Sequence, residues 1–354
     1  MVINMPITIR DIAKLAGVSH ATVSRSLNNS PLVAEETRKK INELAQSLGF
    51  QFNANARSLS TNKSGTICII YPEANDEQVV SMYYSSLINQ LRDSLEKVGI
   101  DIIVTFPRNN FTGESNIKRL IVSRKIDGIM IVHPNLVDVD EQVLHFIEMS
   151  KVPYVFLHHY PSYARENTVD AIYTDHVRGG YLATEHLTKL GHKNIACITS
   201  FNQSKSTEFI QRTEGYKAAL SSYGIPFDND LIFNGNRDIL SGYNIIKENM
   251  DKLLSKSVTA IFAQTDLMAI GVMEALRELG YSIPEDFSVV GYDDIELVKS
   301  FKPNLTTIHQ PREEIAFLGC ERLIDLINGK KKKKTINIML QPKLIVREST
   351  KNLI

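Results

Sequence analysis

Thr8-Ile9-Arg10-Asp11-Ile12-Ala13-Lys14-Leu15-Ala16-Gly17-Val18-Ser19-His20-Ala21-Thr22-Val23-Ser24-Arg25-Ser26-Leu27-Asn28 is the stretch on which the fold turns. Thr8 and Asp11 make a T-x-x-D start, where a hydroxyl and a carboxylate satisfy free backbone donors. Ile9, Ile12, Ala13, Leu15 and Ala16 then recur at helical spacing, so a short helix is expected over 8–16. Gly17 falls where the chain must leave that helix with positive φ. Val18 packs inward, and Ser19 caps a second helix from about His20 to Leu27, anchored by Val23 and Leu27.

Two short helices joined by a three- to four-residue turn containing Gly form a helix-turn-helix, whose second helix lies in the major groove with its first residues at the base edges. Those residues are His20, Ala21, Thr22, Ser24 and Arg25. Arg25 can donate two hydrogen bonds to guanine, and His20 can donate one or stack. A third helix follows over Glu35 to Leu48, with Ile41, Leu44, Ala45 and Leu48 apolar and Gly49 as its stop. The alternative from spacing alone is a small three-helix unit whose polar second helix faces only solvent.

Charge supports the first reading. The chain has 354 residues, 40 basic and 40 acidic. Residues 1–63 hold eight of the basic ones (Arg10, Lys14, Arg25, Arg38, Lys39, Lys40, Arg57, Lys63) and four of the acidic ones (Asp11, Glu35, Glu36, Glu43). A positive head on a mildly acidic body directs a polyanion to the head. The composition, 43% hydrophobic and 23% charged, is that of a globular protein and excludes disorder or collagen-like repetition. No apolar run approaches the roughly 20 residues of a bilayer span. Met1 to Ala16 does not read as a secretory signal. Three scattered cysteines (Cys68, Cys197, Cys320) fit neither a disulfide frame nor a zinc or CxxC site, so a reduced, cytoplasmic protein is expected.

From Gly65 onward, strand-like runs alternate with amphipathic stretches. The strands are expected at Ile67–Tyr71, Asp101–Thr105, Gly128–His133, Tyr154–Leu157, Ala171–Thr174, Ile195–Thr199, Ala260–Ala263 and Ser288–Tyr292. The helices are expected at Ser86–Val98, Gly179–Leu190, Arg212–Tyr223, Leu240–Leu254, Leu267–Leu279 and Glu313–Ile327. This alternation predicts parallel sheets covered on both faces, and about 290 residues is more than one core fills, so two α/β subdomains are expected. Ligands then belong in the cleft at the carboxyl ends of the strands.

The opening stretch, continued through Thr37-Arg38, Leu48-Gly49-Phe50 and Asn53-Ala54-Asn55-Ala56-Arg57-Ser58-Leu59, closely resembles the DNA-binding headpiece and hinge of the lac repressor/galactose repressor (LacI/GalR) family. The resemblance runs on in order through Asp175, Glu185-His186-Leu187, Leu190-Gly191-His192, Arg212-Thr213-Glu214-Gly215-Tyr216 and Asp266-Leu267-Met268-Ala269-Ile270-Gly271. It ends with Ile283-Pro284-Glu285-Asp286, Ser288 to Asp294, Leu305 to Ile308, Gln310-Pro311 and Leu344 to Ser349. There are two departures. Ala34 stands where a Ser usually caps the third helix, weakening that cap by roughly 1 kcal/mol. Phe52 replaces the usual Pro before the hinge.

What the resemblance implies is specific. The fold would be an all-α helix-turn-helix headpiece plus an α/β periplasmic-binding-protein-like core of two doubly wound parallel-sheet subdomains. The domains would be 1–50 (headpiece), 51–63 (hinge) and 64–354 (effector-binding and dimerisation core, crossing between subdomains three times). The DNA-binding residues would be Thr8, Ser19, His20, Ala21, Thr22, Ser24, Arg25, Asn28, Thr37, Asn53, Ala56 and Leu59. The hinge is too short to hold a helix alone. In the family, paired hinge helices push a Leu into the minor groove, here Leu59 with Ala56 beneath it. Asp293 matches an aspartate that accepts hydrogen bonds from sugar hydroxyls, and Arg212 an arginine reaching the ligand from the opposite subdomain. Thr265 matches a polar, ligand-facing position.

Further readings concern single residues. An Arg212–Asp293 salt bridge closing the cleft is the alternative for that pair, and Asp266 is expected to cap the helix after it. With no Trp, aromatic stacking on a sugar falls to Tyr83, Tyr84, Tyr173 or Phe233. Arg237 stands where relatives often place a ring, leaving room for an anionic or unusual glycoside. Lys330 to Lys334 reads as a solvated loop. No G-x-S-x-G, P-loop or G-x-G-x-x-G is present, and adjacent residues on a strand point to opposite faces, so His158-His159 and Asp175-His176 are poor metal-site evidence. The expected protein is a homodimeric transcriptional repressor, not an enzyme, without cofactor or metal, binding operator DNA and a sugar or glycoside. A sugar sensor with no DNA role is the rival.

Overall fold

The computed structural model describes residues 7–28, 30–50, 63–71, 82–132, 141–161, 164–165, 168–200, 207–330 and 334–354. The hinge residues Asn53, Ala56 and Leu59, with Phe52, lie outside them, as do residues 331–333 of the lysine run. The chain divides into two units, Met1–Gly65 and Thr66–Ile354.

In the first unit, α1 (Ile9–Ala16), α2 (His20–Leu27) and α3 (Glu35–Ser47) enclose a small core of Ile12, Ala13, Val23, Ile41 and Ala45. Ile7, Val18, Leu27, Leu48 and Phe50 close it. Gly17 has φ +65°, the left-handed turn in which a side chain would be strained. Ala34 offers α3 no side-chain cap.

The second unit holds two sheets. Sheet 1 runs β11-β5-β4-β3-β1-β2, all parallel: β1 (Thr66–Ile70), β2 (Asp101–Thr105), β3 (Gly128–Val132), β4 (Tyr154–His158), β5 (Ala171–Thr174) and β11 (Asn337–Leu340). Sheet 2 runs β12-β10-β9-β8-β6-β7: β6 (Ile195–Thr199), β7 (Ile232–Asn234), β8 (Ala260–Ala263), β9 (Ser288–Asp293), β10 (Thr306–His309) and β12 (Lys343–Ile345). Only β12 is antiparallel to its neighbour.

Strand alternation distributes the core. Ile67 and Ile69 face α4 (Met82–Glu96) and α11 (Arg312–Ile327), whereas Cys68 and Ile70 face α5 (Asn116–Val122) and α6 (Glu141–Ser150). Sheet 2 repeats the arrangement. α7 (His176–Lys189) and α8 (Thr207–Ser222) cover the face of Ile195 and Cys197, and α9 (Ile239–Ser255) and α10 (Asp266–Glu278) the other. Runs buried on both faces read as continuous apolar sequence, which is why the central strands were visible and the short β7, β10, β11 and β12 and helices α5 and α6 were not.

The chain passes between the sheets after β5, after β10 and again between β11 and β12. Helix α11 therefore returns to sheet 1, where Arg322 donates to Asp170 at 2.8 and 3.1 Å. The first and third passages are bonded to each other: Asp175 N–H donates to the Leu340 carbonyl at 2.9 Å, and the Gln341 amide to the Asp175 carboxylate at 3.3 Å.

Candidate functional site

The first candidate surface is the start of α2. Thr8 and Asp11 form a reciprocal cap on α1, with Asp11 N–H donating to the Thr8 hydroxyl at 3.4 Å and Thr8 N–H to the Asp11 carboxylate at 2.9 Å. These bonds from Thr8 hold the Asp11 carboxyl below its ordinary value. Ser19 accepts from Thr22 N–H at 3.1 Å, and the two hydroxyls lie 2.8 Å apart. The Asn28 amide closes α2 on the Ser24 carbonyl at 2.9 Å. So Thr8, Ser19, Thr22 and Asn28 each shape a helix end. His20, Ala21 and Arg25 stand exposed, while Ser24 and Thr37 are half-buried. Neither the imidazole of His20 nor the guanidinium of Arg25 is engaged by another described residue. Both are available to an external acceptor.

The second candidate is the cleft at the strand ends of the larger unit. Asp293 ends β9 with φ +115°, which turns its carboxylate out of the strand. Its Oδ1 accepts from the Gln310 amide at 2.7 Å and lies 3.8 Å from Arg212 Nη2. The Asp293 carbonyl accepts from Arg312 at 2.9 Å. Arg212 is nearly inaccessible: its guanidinium lies 3.7 Å from the centre of the Tyr292 ring and donates to the Gln264 carbonyl. Burial raises the Asp293 carboxyl to about 6, against the lowering pull of Arg212, Gln310 and Arg312.

Arg212 sits on α8 and Asp293 on β9, both in the sheet 2 subdomain. The expectation that Arg212 reaches across from the opposite subdomain is therefore corrected, and the pair belongs to one wall rather than bolting two walls together. The facing wall comes from sheet 1 and α4. There Tyr83 is buried, and burial with the nearby Asp293 charge drives its hydroxyl pKa well up. Tyr84 packs edge-on to Tyr83 at 5.5 Å and to His158 at 5.2 Å.

Between the walls stand three buried imidazoles. His158 and His159 lie 4.2 Å apart, and His159 stacks on His176 at 4.6 Å. This overturns the strand-alternation argument for the pair: His158 has φ +76°, so the extended backbone breaks there and both rings turn to one side. Possible ligand nitrogens of the three lie within 4.8 Å of one another. His176 Nδ1 accepts from Arg212 Nε at 3.4 Å and is 3.1 Å from the Tyr292 hydroxyl. A guanidinium aimed at this trio opposes a metal cation there, and the rings serve better as a polar bridge from sheet 1 to Tyr292.

The other expected residues are placed as follows. Thr265, rather than Asp266, caps α10, accepting from Met268 N–H at 3.2 Å. Asp266 is buried and accepts from Ile295 N–H at 2.9 Å and from the Thr307 hydroxyl; burial first, then the Asp293 charge, raises its pKa well above normal. A cap must point back at the free amides, and the Thr265 φ/ψ of −143°/152° does so. Tyr173 packs on Tyr160 at 5.6 Å beside the Phe156 cluster, and Phe233 lies in the core under Lys252. Arg237 is half-buried beside Phe209. Lys330 pairs with Asp325.

Sequence reasoning gave no role to Gln310, Arg312 or the histidines. Among the described residues, Tyr83 Oη, Thr174 Oγ1 and Gln310 Oε1 are buried without a hydrogen-bond partner, and Arg312 Nε has only the Glu313 carboxylate at 3.4 Å. Each such group costs about 1–3 kcal/mol unless something meets it. The Gln310 amide donates to the Asp293 carboxylate and Tyr83 feels its charge, so two of the three unpartnered groups lie beside one carboxylate. A molecule rich in hydroxyls, each both donor and acceptor, suits that set.

Both surfaces have counterparts in known proteins. Residues 8–53 match the lacI family of bacterial regulatory proteins, and residues 184–350 match a periplasmic binding protein-like domain. The chain is 33% identical over 354 residues to the probable HTH-type transcriptional repressor ExuR of Bacillus subtilis (strain 168), covering 98% of this chain and 99% of that protein. It resembles the solved lac repressor dimer bound to operator and the anti-inducer ONPF, with TM-score 0.74, 26% identity and coverage of 98% and 100%. A transcriptional regulator CelR–cellobiose complex is similar at TM-score 0.69 and 27% identity, covering 97% of this chain and 99% of that one.

Proposed function

The chain belongs to the lacI family of bacterial regulatory proteins, and from that premise we propose how its two units share the work. It is a DNA-binding transcriptional repressor rather than an enzyme, and its partners are operator DNA, a sugar-like effector and a second copy of itself. In our reading residues 1–50 read the operator, 51–63 form the connecting hinge and 64–354 bind effector and dimerise. Arg25 and His20 make the base contacts, with Ala21, Thr22 and Ser24 beside them. Asn53, Ala56 and Leu59 act in the minor groove. Arg212 and Asp293 hold the effector and Tyr84 and Arg237 line its approach, whereas the Tyr173 ring packs on Tyr160 and the Thr265 hydroxyl is engaged in capping α10. The protein acts in the cytoplasm, where its three buried cysteines stay reduced.

The observation that carries the effector assignment is the two unmet polar atoms, Tyr83 Oη and Gln310 Oε1, beside the buried Asp293 carboxylate. No helix among the described residues is long and apolar enough to cross a membrane. Mechanistically, a ligand touching both Asp293 on one wall and Tyr83 on the other binds one separation of the subdomains better and so shifts their populations. Folding of the paired hinges, and hence simultaneous docking of two headpieces, then follows the cleft. A sensor with no DNA role would leave the idle Arg25 and His20 unexplained.

The test is fluorescence anisotropy of a labelled fragment from upstream of the gene, titrated with protein alone and with a panel of neutral and acidic sugars. At least one sugar should change operator affinity by about 10²–10⁴, the loss expected when two headpieces no longer bind together. Unchanged affinity across the panel refutes the coupling.

A further inference from the structure

We infer that the effector carries an anionic group, a carboxylate or a phosphate ester on a sugar-sized frame, and that Arg237 is the residue that reads it. This rests on the cleft being the effector site and specifies what enters it.

Two guanidiniums share the Phe209 ring. Arg212 lies 5.1 Å from its centroid and Arg237 6.0 Å. Their surroundings differ. Arg212 has Asp293 at 3.8 Å, the Gln264 carbonyl as acceptor and the Tyr292 face beneath it. Arg237 is half-buried, yet among the described residues no carboxylate stands within ion-pair distance and no acceptor meets its side chain. A cation partly withdrawn from water without a partner is costly, and a charge placed so invites one.

The backbone holds it there deliberately. Arg237 has φ +69°, a region that long side chains enter rarely. The residues on either side are pinned: Asn236 N–H donates to the Ser241 hydroxyl at 3.0 Å, and Asp238 caps α9 through Ser241 N–H at 2.6 Å. The backbone on either side of Arg237 is therefore held through Ser241.

Through the shared Phe209 ring Arg237 stands on the same wall as Arg212 and Asp293. Burial raises the Tyr84 hydroxyl pKa, Glu208 raises it further and Arg237 lowers it, so the three groups share a neighbourhood. Glu208, on α8, is itself buried and stands beyond ion-pair reach of Arg237. An anion on the Arg237 fork would gain charge-assisted bonds, while the hydroxyls of the same ligand reach Asp293. A neutral hydroxyl at that point gains about half as much per bond. The planar fork matches a carboxylate or a phosphate in two parallel bonds.

The experiment uses the full chain in calorimetric titrations with matched pairs: galactose and galacturonate, glucose and glucuronate, glucose and glucose 6-phosphate. One charged member should bind at least about tenfold more tightly than its neutral partner, a difference of about 1.4 kcal/mol. Arg237→Gln should remove that preference and Arg237→Lys keep part of it, with thermal melting confirming that each variant folds. If Arg237→Gln does not fold, loss of the wild-type preference at high salt reads the same charge. Neutral members binding as tightly as charged ones overturn the anion assignment and leave the sugar reading intact. A preference surviving in Arg237→Gln overturns the role of Arg237. If no pair binds, both readings fall.

Discussion

Arg212 and Asp293 face each other at 3.8 Å from the same wall of the cleft. Their attraction is therefore made before any ligand arrives and does not oppose opening. In the reading proposed above the pair anchors the effector, and the contacts that respond to closure come from Tyr83, Tyr84, His158 and His159 on the facing wall.

The anchor has a pH signature. The Asp293 carboxyl is raised to about 6, chiefly by burial, so it is ionised at neutral pH and gains a proton as pH falls through that value. A carboxylate accepting from sugar hydroxyls loses that capacity on protonation. Effector affinity should be flat above neutrality and fall below pH about 6. Asp293→Asn should weaken binding by roughly 1.5–3 kcal/mol and flatten the profile. An unaltered profile in the variant, read by calorimetry across pH, would move the titrating group elsewhere.

Arg25 is exposed and unengaged, so its removal should leave the headpiece folded. Arg25→Ala should relax discrimination at one operator position by about 1–3 kcal/mol, measured on a set of single-base operator variants. Uniform weakening across the set would make Arg25 a phosphate contact instead.

The third helix begins at Ala34 without a side-chain cap. Ala34→Ser should stabilise the headpiece by about 1 kcal/mol, seen as slower amide exchange in α3. No change in exchange would mean that the start of α3 is already satisfied.

Helices α7 and α8 touch at Gly180 and Gly215. A Cβ on Gly180 would collide with the Arg212 carbonyl, and one on Gly215 with the Val177 carbonyl. Gly180→Ala must push α8 outward and carry Arg212 with it. The expected outcome is a loss of about 1–3 kcal/mol of stability together with weakened effector binding. Full effector affinity in this variant would free Arg212 from its assigned role.

Short-range signals made the headpiece legible: Thr8, Gly17 and Ser19 act within three or four residues of themselves. The central strands were equally plain, since burial on both faces leaves unbroken apolar runs. The cleft was legible only in part. Asp293 and Arg212 stood out by resemblance, but which wall carries Arg212 depends on how α8 lies against sheet 2, a long-range matter. The histidines were misread because alternation holds only for extended backbone, and His158 leaves it. The cap on α10 fell to Thr265 rather than Asp266, whose carboxylate is taken up by Ile295 N–H and the Thr307 hydroxyl, partners distant in sequence.

Three strands of chain run between the lobes, and the outer pair are stitched together through Asp175, Leu340 and Gln341. Such a spine lets the covers of a book part while keeping the pages in register. A ligand that bridges the two walls is then expected to change the angle between the lobes rather than slide one past the other.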